Sequence, residues 1–151
     1  MRRTANILIR ALALITVFGC ATSNIVTVNP SASAKAFKSA YLVAHGEPSS
    51  DMDAHIQREL LAHGLQVKIG PEIRTLADVD IIVRYADNWR WDMAMYLRTL
   101  DIQVYDAASG TLLVMGSWKN SPLHGFHGAE GVVKQVVDEI FAKLGQGGQK
   151  G

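Results

Sequence analysis

Five segments of the chain carry the apolar or alternating pattern that is typical of β-strands. The clearest alternation places Leu100, Ile102 and Val104 on one side of a strand. Asp101 and Gln103 then lie on the other side, so one face meets a core and the other meets solvent. The predicted strands cover residues 37–44, 65–70, 80–92, 96–106 and 111–120.

A helical period separates the first two of these strands. Met52, Ile56 and Leu60 recur at intervals of four, which places them on one face of a helix. Ser50 starts this segment in the manner of a capping box, and Gly64 is a typical residue for its end. The pattern therefore predicts a first helix between residues 50 and 64.

A second helix is predicted near the end of the chain, over residues 132–145. Its valines favour a strand, but the segment is too long for one, and its apolar residues keep the helical period. Those residues are Val133, Val136, Val137, Ile140 and Leu144.

The resulting order of elements is β-α-β-β-β-β-α, in which the first βαβ unit crosses over with the right hand. This order predicts an α/β two-layer sandwich, with a mixed sheet of about five strands and two helices on one face. The globular domain is expected to cover residues 37–144, and the glycine-rich tail 145–151 is expected to be disordered.

The beginning of the chain has the pattern of a lipoprotein signal peptide. Three arginines precede an apolar run at residues 11–19, which is far shorter than the ~20 residues that cross a bilayer. The run ends in Val17-Phe18-Gly19-Cys20, which resembles the lipobox that signal peptidase II cuts before a lipidated cysteine. The alternative is an ordinary secretory signal peptide in which the cysteine is incidental.

Cleavage before Cys20 would leave a mature chain with a small negative charge. It removes three of the fifteen basic residues and none of the fourteen acidic ones, so the formal charge changes from +1 to −2. Nucleic-acid binding is not expected, because no basic patch remains. Residues 20–36 are predicted to be the lipidated cysteine and a flexible tether. Ala21 follows the cysteine, and in diderm lipoproteins a residue other than aspartate there favours the periplasmic side of the outer membrane.

Residues 77–126 contain a set of distinctive motifs, which are Tyr85, Trp89-Arg90-Trp91-Asp92-Met93, Tyr96-Leu97, Asp106 with Gly110, Trp118, and His124-Gly125-Phe126. On these motifs, residues 38–144 resemble a family of small, largely uncharacterised proteobacterial lipoproteins. The resemblance implies a lipid-anchored envelope protein, with no active site to transfer. At the level of the fold alone, the layout is also similar to lipoproteins of the curli-secretion and penicillin-binding-protein-activator kind.

Catalytic chemistry has little support in the residues. His124 and His127 lie in a glycine-rich loop and form the only metal-site candidate, but a catalytic zinc needs three protein ligands. They are interpreted as solvated loop histidines. Asp87 and Asp92 are five residues apart, so a single strand directs them to opposite faces and they do not form a glycosidase pair. No cofactor is predicted.

The aromatic residues Tyr85, Trp89 and Trp91 form the candidate binding surface, because strand parity places them on one face. Two interpretations remain open. The indoles form either part of the core or a ridge for a protein or glycan partner. A mixed outcome is predicted, in which one indole is buried and Trp91, further from the apolar Ile81–Val83 segment, is the exposed one.

The sequence thus predicts a non-catalytic, lipid-anchored protein that binds or scaffolds a component of the cell envelope. It would face the periplasm from the outer membrane and contact the membrane through the lipid on Cys20. The alternative is a metal-dependent or glycan-acting envelope enzyme that uses His124, His127 and a nearby carboxylate.

Overall fold

A computed structural model describes residues 22–30, 36–46, 50–72, 78–121 and 126–146. The predicted signal peptide, Cys20, His124 and the last five residues lie outside this part of the chain. The elements are β1 (Ser23–Val28), β2 (Ser39–Val43), α1 (Ser50–Ala62), β3 (Gln66–Gly70), β4 (Ile81–Asp92), β5 (Ala94–Asp106), β6 (Leu112–Lys119) and α2 (Ala129–Gln146).

The strands form one mixed sheet in the order β1-β6-β5-β4-β2-β3. β2 is parallel to both β3 and β4, and the remaining neighbours are antiparallel. Both helices pack against each other and against the sheet, and they share a single core with it. The predicted α/β class, with a mixed sheet and two helices, is therefore confirmed, with six strands in place of five.

The core lies between the helices and one face of the sheet. Gly116 on β6 marks a close approach of α2 to the sheet, because a Cβ atom there would lie 2.8 Å from Cγ1 of Val136 on α2. The largest fully buried side chain is Trp118, and Ile140 packs in the same cluster. The helical period that predicted α2 therefore reflects its contact with β6. Among the described residues, no helix is long and apolar enough to span a bilayer.

The sixth strand, β1, corrects the predicted tether. It pairs with β6 over its whole length, from Ser23 opposite Lys119 to Val28 opposite Val114. Val26 and Val28 pack against the core, and Nδ2 of Asn24 donates a hydrogen bond of 2.6 Å to Glu139 of α2. The physical reason is that β-branched residues favour strands and that β6 otherwise offers an unpaired edge.

The other boundaries shift less. α2 continues to Gln146, two residues beyond the predicted end of the domain. At the amino end, only Ala21 and Thr22 separate Cys20 from β1. A lipid on that cysteine would therefore be attached almost directly to the sheet.

We expect a chain that starts at Phe37 to be less stable than one that starts at Thr22. Without β1, the edge of β6 and the core under Val26 and Val28 meet water, which should lower the free energy of unfolding by roughly 2–4 kcal/mol. Urea unfolding of the two chains measures the difference. Equal midpoints and slopes would show that β1 adds nothing to the fold.

Candidate functional site

The candidate site is a two-stranded extension of the sheet, residues 89–97, which we name the arm. β6 ends at Lys119, whose partner on β5 is Thr99, and Thr99 pairs in turn with Asn88 of β4. Beyond this row of residues, β4 and β5 pair only with each other within the described part of the chain. The arm therefore projects beyond the end of the sheet at which β2 and β4 finish, which we name the arm end.

An irregularity in the strand register separates the arm from the sheet. Asn88 lies opposite Thr99, but the next residue, Trp89, lies opposite Leu97, so Arg98 has no partner in the register. Without this extra residue, Leu97 and Leu100 would face opposite sides of β5. Both are fully buried instead. The bulge thus extends the core-facing side of the sheet onto the arm.

The base of the arm is held by the segment that follows β6. The backbone N–H of Asn120 donates to the carbonyl of Arg98 at 3.0 Å, and its Nδ2 donates to the carbonyl of Leu97 at 3.1 Å. Arg98 Nη1 donates in return to the carbonyls of Asn120 and Ser121, at 3.4 and 3.2 Å. We name these contacts the base clamp. It fixes the direction in which the arm leaves the sheet.

The tip of the arm is a tight turn at Met93, between the paired residues Asp92 and Ala94. Met93 has a φ of 59°, in the left-handed region that non-glycine residues rarely adopt. Its side chain is 91% exposed. A large apolar residue therefore occupies a position where glycine would be easier for the backbone.

The arm exposes a contiguous set of large apolar side chains. Trp91 is opposite Met95 and Trp89 is opposite Leu97, so these four residues share one face, on which all but Leu97 are exposed. Trp91 is 71% exposed and Trp89 38%, which agrees with the predicted order. The expectation that one indole is buried is wrong, because both indoles are exposed, although Leu97 opposite Trp89 is fully buried. Its Nε1 donates to Oδ2 of Asp87 at 2.6 Å.

Tyr85 does not belong to the exposed surface, although strand parity grouped it with the two tryptophans. Its hydroxyl donates to Oδ1 of the buried Asp53 at 2.6 Å, and the ring stacks on His45 with centroids 4.2 Å apart. Burial first, and then the hydrogen bond to Asp53, raises the pKa of the Tyr85 phenol well above its usual range. Tyr85 therefore supports the sheet below the arm and is not a contact residue.

Asp53 also closes the start of α1. Its carboxylate accepts hydrogen bonds from the backbone N–H groups of His45 and Gly46, at 3.3 and 3.1 Å. With the Tyr85 hydroxyl, three donors surround one buried carboxylate, which explains why it can be buried. The cluster has the contacts of a structural network that joins α1 to β4.

Of the two candidate metal ligands, only His127 lies in the described residues. It lies two residues before α2, where its ring meets Trp118 edge to face with centroids 5.8 Å apart. No group of three residues with metal-binding side chains occurs in the part of the chain that the structure describes. His124 lies outside it, so the structure does not bear on that half of the pair.

Phe126 is a surface residue that the sequence did not single out. It precedes α2, is 63% exposed and meets the Tyr96 ring of the arm edge to face, with centroids 6.2 Å apart. The only signal was its place in the His124-Gly125-Phe126 motif. Its apolar surface lies next to the arm because α2 starts at the arm end.

The fold and the arm define a small α/β protein whose most prominent surface is an apolar hairpin. No family model matches the chain, and neither does any curated protein. A solved structure of a variant PelC dodecamer from Paraburkholderia phytofirmans is similar to it, with 16% identity over 82% of this chain and 97% of that chain, at a TM-score of 0.56. A second PelC dodecamer from that organism has 15% identity over the same shares, at a TM-score of 0.55. These likenesses show the fold alone.

A minor lipoprotein from Acinetobacter baumannii is more distant. It has 11% identity over 71% of this chain and 94% of that chain, at a TM-score of 0.39.

We expect Tyr85→Phe to lower the free energy of unfolding by about 2 kcal/mol at neutral pH, because it removes a buried hydrogen bond to a carboxylate. The wild-type protein should also lose stability as the pH rises above about 10, since only the unfolded phenol ionises there. Tyr85→Phe lacks this phenol, so its free energy of unfolding should fall less as the pH rises. Denaturant melts of both proteins at neutral and alkaline pH measure the effect, and parallel alkaline losses would contradict it.

We expect Met93→Gly to raise the free energy of unfolding by up to about 1 kcal/mol. Relief of the left-handed conformation is worth roughly 1–2 kcal/mol, and the added freedom of the unfolded chain offsets part of it. Thermal melts compare this variant with Met93→Ala, which shortens the side chain but keeps the backbone strain. Equal stability of the two variants would mean that the turn is not strained.

Proposed function

We propose that this protein is a lipid-anchored component of the cell envelope that binds or scaffolds a partner on the periplasmic side of the outer membrane, without catalysis. The observation that carries this proposal is the exposed apolar arm. Among the described residues, eight large hydrophobic side chains are exposed, and five of them lie on the arm or beside it. Those five are Trp89, Trp91, Met93, Met95 and Phe126.

Exposing this many apolar side chains to water costs free energy, and a purely structural role for the arm would not explain why the protein bears that cost. Exposed apolar residues scattered singly are ordinary, but a contiguous group marks an interaction surface. Tryptophan is also among the residues that dominate binding energy at interfaces. The strained Met93 at the tip adds to this argument, because a less strained and less apolar residue would serve a simple turn better.

The anchor rests on the sequence. Cys20 follows Val17-Phe18-Gly19 at the end of a short apolar run, as in a lipobox, and the chain resembles a family of lipoproteins. β1 begins at Ser23, three residues after Cys20, so the first strand follows closely on the proposed lipid. Location in the outer membrane is supported by Ala21, because lipoproteins that are retained in the inner membrane commonly carry aspartate at this position.

The structural likeness supports a scaffolding role in one further respect. PelC, which shares the fold at low identity, is described as a dodecamer. A domain of this kind can therefore work in many copies. The enzyme alternative has no observation in its favour, and we do not propose it.

The test is metabolic labelling with a palmitate analogue. The wild-type chain should be labelled and recovered with the outer membrane, whereas Cys20→Ser should be unlabelled, because only the thiol accepts the lipid. Ser117→Ala is the control, since it changes a hydroxyl on β6 and leaves the only cysteine of the sequence in place. Labelling of Cys20→Ser to the same level as wild type would refute the lipid anchor.

A further inference from the structure

The start of β1 and the arm lie at the same end of the molecule. Ser23 pairs with Lys119 of β6, and Lys119 pairs with Thr99 of β5. Thr99 pairs with Asn88, the last residue of β4 before the arm. One row of paired residues therefore crosses four strands, with the first residue of β1 at one side and the base of the arm at the other.

The spacing of strands and the rise per residue allow Cys20 and the tip of the arm to reach the same plane, beyond the end of the sheet. Three strand spacings of about 4.8 Å separate Ser23 from Asn88, roughly 14 Å. Cys20 precedes Ser23 by three residues, which span at most about 10 Å. The arm extends four residues past Asn88, or about 13 Å at 3.3 Å per residue. The cysteine and the tip of the arm can thus lie at nearly the same height above the sheet.

The side chains of the arm suit the boundary between water and lipid. Tryptophan concentrates at this boundary because its ring is large and apolar while its N–H remains polar. Trp91 and Met93 project furthest, and Phe126 adds a third apolar side chain at the same end. Arg90 is also exposed on the arm, between the two indoles in sequence, and gives it a cation for phosphate groups.

We propose that the arm inserts into the headgroup region of the bilayer that holds the lipid on Cys20. This inference rests on the proposed function and names the surface that the arm binds. The protein then has two membrane contacts, one covalent and one through the arm. The two contacts fix the arm end toward the membrane and direct the opposite end, where α1 finishes, into the periplasm.

A lipid surface explains the arm better than a second copy of the chain does. The anchor would hold the arm within about 15 Å of the membrane at all times, so its apolar surface would meet lipid before any protein. The base clamp and the buried Leu97 keep the arm extended toward that surface.

The experiment uses the full mature protein with its lipid, reconstituted in phospholipid vesicles whose upper acyl chains carry bromine. Bromine quenches tryptophan only at contact, so fluorescence reports insertion. Trp118 is buried in the core and provides an internal reference that should not be quenched. We expect strong quenching in the wild type and loss of most of it in Trp91→Phe.

Leu61→Ser is the matched control for the arm. Leu61 is 51% exposed, but it lies at the end of α1, on the side of the molecule away from the arm. This variant should be quenched as strongly as wild type. A Met93→Ser variant should be quenched less, because it removes the apolar tip without touching a tryptophan.

Labelling of Cys20 in the same preparation separates the two proposals. Label together with quenching of Trp91 supports both. Label without quenching overturns the membrane contact and leaves the anchored binding protein intact, whereas absence of label removes the anchor and the membrane contact with it. Disulfide-linked dimers of a Trp91→Cys variant, formed without quenching of the remaining Trp89, would assign the arm to a second copy of the chain.

Discussion

The arm depends on a constraint that any two-stranded ribbon in water must meet. A hairpin without further strands or a helix against it is marginally stable, because half of its backbone groups and most of its side chains face solvent. β6 ends at Lys119, so the residues beyond it have no third strand. The structure meets the constraint at the base, where the extra residue Arg98 turns Leu97 into the core and the base clamp ties β5 to Asn120.

This arrangement explains why the apolar residues of the arm are exposed without loosening it. Leu97 contributes core burial at the base, so the outer residues need not be buried for the strands to stay paired. The bulge also increases the local twist, as bulges do, and so redirects the arm relative to the sheet. The exposed face of Trp91 is thus held by residues that are not themselves exposed.

Most of the fold was predictable, because period and capping are local signals. The helices follow from Met52, Ile56 and Leu60 and from the valines of α2, which pack where the period places them. β1 was missed because SNIVTV lies among serines and alanines, and its pairing with β6 depends on residues almost a hundred positions away. Composition cannot reveal such a partner, although the run of β-branched residues was a usable signal.

The site was predictable only in part, for a related reason. Strand parity correctly grouped Trp89 and Trp91, but parity does not say where the covering helices end. Tyr85 and Trp89 share a face, yet α1 supplies Asp53 to one of them and nothing comparable to the other. The bulge at Arg98 was equally invisible, since it arises from the competition between burying Leu97 and burying Leu100.

Because β1 occupies much of the predicted tether, only two residues separate Cys20 from the sheet. This short distance matters for function. A flexible link of some sixteen residues would let the domain move tens of ångströms from the bilayer, and a surface patch would then meet lipid only by chance. Two residues allow no such movement. If Cys20 carries the proposed lipid, the end of the sheet that bears the arm would face the membrane, and exposed tryptophan and methionine at that end would be stabilised by the contact. The same pairing of β1 with β6 that adds a strand to the sheet would then determine which surface the proposed anchor presents to lipid.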